Sequence, residues 1–149
     1  MSLTSDTAPK PSPANGFTLI ELLIAIAILA IIMGIAIPSY NQWVVKSNRA
    51  DAKGALFGAA QTLERCFTRY SAYNHANCNA AKPAPVGIDG QMSENDKYQL
   101  SITSIDGTSY TLTATPQGSQ TSDTECGNFT LDERGAKGVS GSGTVDDCW

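Results

Sequence analysis

The sequence holds a single histidine, His75, and no C-x-x-C pair among its four cysteines, so a metal site of clustered His and Cys ligands has no spacing to rest on. It lacks a Gly-rich phosphate loop, a G-x-S-x-G elbow and an H-E-x-x-H pattern. Basic residues are in the minority. Ten Lys+Arg stand against 14 Asp+Glu, a formal net charge of -4, which argues against a general nucleic-acid-binding protein. Adjacent carboxylates occur at Asp132-Glu133 and Asp146-Asp147, but in Gly-rich sequence, where paired acids are ordinarily just solvated. His75 lies in an Asn- and Ala-rich stretch and reads as a surface loop residue rather than a general base. These absences describe a chain that is not an enzyme and carries neither cofactor nor metal.

What is present is unevenly spread. The chain has 149 residues and weighs 15.7 kDa, enough for one compact domain. Residues 17–38 hold 18 apolar residues in 22 positions, whereas residues 39–149 hold 40 in 111. From Phe17 to Ile37 a helix would span about 31 Å, roughly the core of a bilayer. The run is too long for a secretory signal peptide and no A-x-A site closes it. Its one ionisable residue is Glu21. A carboxylate there is costly unless it reaches the interface or meets a cation. A cut between Gly16 and Phe17 would create such a cation, the new amine, and a neighbouring subunit could bring it to Glu21. The sixteen residues before the cut are polar, with three prolines and one lysine.

Beyond Pro38 the sequence carries no further proline as far as residue 73, which predicts a continuing helix. Leu56, Ala59, Ala60, Leu63, Phe67 and Tyr70 recur at spacings of three or four and define an apolar face. Arg49, Asp51, Lys53, Glu64, Arg65 and Arg69 place charge elsewhere, and Tyr40 to Ala50 is expected to project from the globular part toward other subunits. Gly34 and Pro38 mark a soft spot where the apolar run ends. Proline and glycine punctuate Asn79 to Gly90 as a loop. Alternation predicts strands at Tyr98–Ile102 and Tyr110–Ala114 around an Asp106-Gly107 turn, with a third at Phe129–Leu131. A Gly-rich tail with at most one short strand follows. The fold class is α+β: a long N-terminal helix, half transmembrane and half amphipathic, packed on an antiparallel sheet of three to four strands.

Gly16-Phe17-Thr18-Leu19-Ile20-Glu21, the apolar run and Ile37-Pro38-Ser39-Tyr40 together resemble the class III signal of type IV prepilins. At the other end, YTLTATP from Tyr110, Cys126-Gly127, an L-x-x-x-G-x-x-G turn from Leu131 and a closing Asp147-Cys148-Trp149 are similar to PilE-type minor pilins. The resemblance implies the type IV pilin fold and three regions. Residues 1–16 would be a leader, 17–38 a transmembrane and assembly helix, and 39–149 a periplasmic globular domain with a C-terminal disulfide loop. It implies cleavage between Gly16 and Phe17 by a prepilin peptidase, N-methylation of Phe17, an assembly role for Glu21, and local melting of the helix around Gly34 and Pro38. It implies residence in the inner membrane before assembly and in the extracellular pilus afterwards. The implied partners are other major and minor pilins, an inner-membrane platform protein, an assembly ATPase and a secretin. The function implied is that of a structural pilus subunit, most like a minor pilin. The alternatives are a major pilin, a DNA-binding pilin and a type II secretion pseudopilin. For DNA, residues 39–149 carry 9 basic and 12 acidic residues, a net of -3 that weakens steering toward phosphate, though Lys46, Arg49 and Lys53 form a local basic stripe.

All four cysteines lie past the apolar run, where a periplasmic location would favour disulfides. Three connectivities exist. Local chain closure and the resemblance both favour Cys126–Cys148, which leaves Cys66–Cys78 as the second pair.

Overall fold

The computed structural model describes residues 16–82 and 86–149. Apart from Gly16, the expected leader lies outside the described residues. The chain forms two compact units, Met1–Ser39 and Tyr40–Trp149. Helix α1, Leu19–Tyr70, contributes to both.

In the first unit every described side chain is exposed. Apolar residues from Leu19 to Ile37 are on all sides of this stretch, which is long and apolar enough to cross a membrane. The helix continues without interruption through Gly34 and Pro38.

In the second unit, α1 buries a stripe at Ala52, Leu56, Ala59 and Leu63, spaced four, three and four apart. Arg49, three residues ahead of Ala52, lies on the same stripe and is buried too, although its charge suggests an exposed face. The helix ends at Tyr70, three residues before the end its composition suggests. Ser71 adopts a left-handed backbone, φ 54°, and its N–H donates to the Phe67 carbonyl at 2.7 Å, a C-terminal cap that stops the helix.

The sheet has four antiparallel strands in the order β1 (Tyr98–Ile105), β2 (Tyr110–Pro116), β3 (Phe129–Asp132) and β4 (Lys137–Val139). Alternation sends Tyr98, Leu100, Tyr110, Leu112, Ala114, Phe129 and Leu131 to one face, where they form a single core with the helix stripe. Burying Leu56, Leu63 or Leu112 contributes about 1.5–3 kcal/mol each. The β1–β2 turn is fixed by Asp106, whose carboxylate accepts from the N–H groups of Thr108 and Ser109, each at 2.7 Å. Each edge of the sheet is covered in part. Gly90, Gln91 and Ser93 exchange backbone hydrogen bonds with Tyr98 and Leu100 along β1, and Trp149 Nε1 donates to the Gly138 carbonyl on β4 at 3.1 Å.

Candidate functional site

Two groups of polar side-chain contacts stand out among the described residues, one in each unit. In the first, Thr18 precedes the helix and Glu21 occupies its first turn. Thr18 N–H and its hydroxyl both donate to Glu21 Oε2 at 2.8 Å, and Glu21 N–H donates back to Thr18 Oγ1 at 3.3 Å. This reciprocal arrangement is a capping box, produced by the T-x-x-E spacing. It engages one carboxylate oxygen and orients the charge at the positive end of the helix dipole. Gly16 and Phe17 lie exposed immediately before it.

The second group joins helix α1 to the C-terminal segments of its own unit. Arg49 Nε donates to Asp123 Oδ2 at 2.8 Å and an Nη donates to Asp123 Oδ1 at 2.9 Å, while the same Nη reaches Glu125 Oε2 at 2.6 Å. The Arg49 and Asp123 side chains are only 7% and 1% exposed, whereas Glu125 is half open at 52%. The Asp123 partnership holds the guanidinium far above its already high ordinary range. Gln120, fully buried, extends the contact: its Nε2 donates to the Val45 carbonyl and to Tyr98 Oη, and its Oε1 accepts from Asn48. Lys53 Nζ donates to the Trp149 carbonyl at 2.9 Å, and burial, with Arg49 and Lys137 nearby, lowers its pKa.

The stretch expected to project, Tyr40 to Ala50, is therefore anchored to its own unit from Val45 onward. The expected basic stripe is likewise altered, because Arg49 is consumed by two carboxylates and Lys53 by a backbone carbonyl. Asp123, Glu125 and Cys126 bring possible ligand atoms within 4.8 Å of one another. Arg49 engages both carboxylates and Cys126 is disulfide-bonded, so the cluster is an ion-pair site.

Two disulfides close the unit, Cys66–Cys78 and Cys126–Cys148. The second is buried at both cysteines and binds the short helix α2, Val145–Cys148, to the segment just before β3. The Gly-rich run permits this closure. A Cβ on Gly141 would fall 2.2 Å from the Glu125 carbonyl oxygen. Trp149 packs edge-on against Phe129 and Phe57, with Lys137 Nζ 5.1 Å above its ring.

Three of these features were hidden in the sequence: Arg49 as a buried cation, Gln120 as the hub and Thr18 as the partner of Glu21. The signal for Arg49 was its place on the extrapolated apolar stripe; the T-x-x-E spacing before an apolar run was the signal for Thr18. Nothing local marks Gln120.

A long helix carrying an exposed apolar run, followed by a stretch packed on a four-stranded antiparallel sheet with a disulfide-closed C-terminal loop, is the architecture of pilin subunits. A family model described as "Type IV minor pilin ComP, DNA uptake sequence receptor" matches residues 38–130, and one for the prokaryotic N-terminal methylation motif matches residues 12–37. Fimbrial protein EcpC of Eikenella corrodens is 36% identical over 68% of this chain and 61% of its own length. The type IV major fimbrial protein FimA of Dichelobacter nodosus is 30% identical over 62% of this chain and 53% of its own. The chain thus spans between about half and three-fifths of the curated relatives it matches. The non-core minor pilin PilV of Neisseria meningitidis shares the fold, with a TM-score of 0.50 at 19% identity over 66% of this chain and 88% of that one. The chain belongs to the type IV pilin family.

Proposed function

We propose that this chain is a minor subunit of a type IV pilus. The carrying observation is the apolar run beginning at Phe17, exposed along its length and interrupted by one charge, Glu21, four residues in. Residues 1–16 act as a leader that prepilin peptidase removes at the Gly16–Phe17 bond, after which Phe17 is N-methylated. Residues 17–38 hold the subunit in the inner membrane, with residues 39–149 in the periplasm. On assembly by the platform protein and ATPase, the helix exchanges lipid for neighbouring helices, so little apolar surface meets water. Glu21 pairs with the amine of an adjacent subunit through the oxygen its capping box leaves open. The filament leaves through the secretin. The minor role is supported by the description of the matched family; a major subunit would differ in copy number rather than chemistry.

The test is incorporation of the Glu21→Ala chain into pili beside the wild-type chain. Loss of incorporation with normal membrane levels is expected; normal incorporation would remove the electrostatic step. If this chain formed the dominant band of sheared pili, the minor assignment would fail.

A second reading, DNA reception during uptake, is favoured by the matched family's description. It cannot rest on Lys46, Arg49 and Lys53 as a stripe, since two of the three are engaged within the chain. Salt-dependent retention of duplex DNA by the full chain supports this reading, and its absence at low salt removes it.

A further inference from the structure

We propose that a pocket at the C-terminal end of α1 binds a carboxylated sugar residue. The cavity has a volume of about 300 Å³ and is lined by Thr62, Arg65, Arg69, Tyr70, Asn77 and Asn79. That is the small end of the range for small-molecule sites, about 300–1,000 Å³. Arg65 and Arg69 are four residues apart, hence on one helix face, and like charges at that spacing repel. No ion pair relieves them among the described residues. The nearest acid on their own helix, Glu64, accepts hydrogen bonds from Tyr73 and Tyr110 instead. No acidic side chain lines the cavity. Arg65 and Arg69 thus line one recess with no anionic partner, Arg65 Nε donating only to the Gln61 carbonyl at 3.3 Å, and their Nη groups remain to grip a carboxylate.

The remaining lining favours a sugar as the bearer of that carboxylate. Asn77 and Asn79 add neutral donors and acceptors of the kind that hydroxyl groups satisfy, and Thr62, whose hydroxyl donates to the Gly58 carbonyl at 2.9 Å, adds an acceptor. Asn79 Oδ1 accepts from Lys82 Nζ at 2.9 Å, which leaves its amide N–H groups for a ligand and brings a third cation beside it. Tyr70 offers an aromatic wall, held by a parallel stack on His75 with centroids 4.5 Å apart. The Cys66–Cys78 bridge fixes the helix to the segment carrying both asparagines, so the recess is formed before any ligand arrives. A nucleic-acid strand fits less well. It calls for a row of cations tracking successive phosphates, whereas here two arginines share one small recess on a unit of net negative charge.

The experiment titrates the full chain in detergent micelles with trigalacturonate and with sialyllactose, alongside methyl-esterified trigalacturonate, lactose and single-stranded and duplex DNA. Saturable binding of at least one acidic sugar is expected, weakened at least about tenfold by loss of its charge. The R65Q/R69Q chain should lose that binding with unchanged circular dichroism, R65K/R69K should recover part of it, and K137Q should retain it. Binding of neither acidic sugar, equal binding of charged and neutral forms, or binding that survives R65Q/R69Q would overturn the proposal. DNA bound through Arg65 and Arg69 in preference to both sugars would also overturn it. None of these outcomes bears on filament incorporation, which is read separately through Glu21.

Discussion

Arg49 and Asp123 meet as a two-point ion pair, Nε to Oδ2 at 2.8 Å and Nη to Oδ1 at 2.9 Å, with both side chains buried. Removing Asp123 breaks both of its bonds to a nearly buried guanidinium and leaves Arg49 only the half-open Glu125 as a partner. Asp123→Ala should therefore cost about 2–3 kcal/mol in urea unfolding of the full chain, and more if Glu125 is also replaced by Ala. The double variant Arg49→Met/Asp123→Leu should recover much of that loss, because a well-packed apolar pair avoids the desolvation cost. A single variant within about 1 kcal/mol of wild type would show that the pair is not structural.

The bridges act on the unfolded chain as well as on the folded one. Their closed segments differ, with sequence separations of 12 for Cys66–Cys78 and 22 for Cys126–Cys148. Replacing either pair by serine should cost about 3 kcal/mol, slightly more for the longer loop. Hydrogen exchange should localise the second loss to residues 124–148, where Ser142 and Gly143 donate to Thr124 and Glu125. Uniform exchange across the unit would mean that the terminal loop is not an independent closure.

The helix, the positions of the first three strands and the family were legible in the sequence because they rest on local period and on contiguous motifs. Leu56, Ala59 and Leu63 announce their face by spacing alone. The fourth strand, Lys137–Val139, was at the limit of legibility: three residues in Gly-rich sequence carry no alternation to read. The clamp was not legible, because Arg49 meets residues more than 70 positions away and its burial depends on that pairing. The T-x-x-E capping box is legible locally, and the same residues also lie in the processing motif.

Alkaline pH should unfold the globular unit through its tyrosines. Burial, helped at Tyr73 by its bond to Glu64, pushes Tyr73 and Tyr98 from the ordinary 10.0 up to about 12, and burial raises Tyr110 as well. Each is neutral in both states below pH 10.0, so its contribution is fully present there. The unfolded chain then ionises first, and stability falls as pH rises from 10.0 toward about 12. Tyrosinate absorbance and circular dichroism followed together should show ionisation of these residues coinciding with unfolding. Full ionisation near pH 10 with the fold intact would contradict the burial argument.

Gly34 and Pro38 lie within an unbroken helix, although glycine costs about 1 kcal/mol there and proline withholds a hydrogen bond. Their expected role is to let the helix loosen in the filament. Gly34→Ala with Pro38→Ala should slow hydrogen exchange across residues 34–38 in assembled pili. Unchanged exchange would remove that role.

In the proposed assembly, one apolar helix serves first as a membrane anchor and then as filament core, with a cut at Phe17 between the two. Mass spectrometry of sheared, purified filaments tests it most directly. A peptide beginning at N-methylated Phe17, present below the level of the dominant subunit, is expected. Finding the chain only in membranes, with residues 1–16 retained, would contradict it.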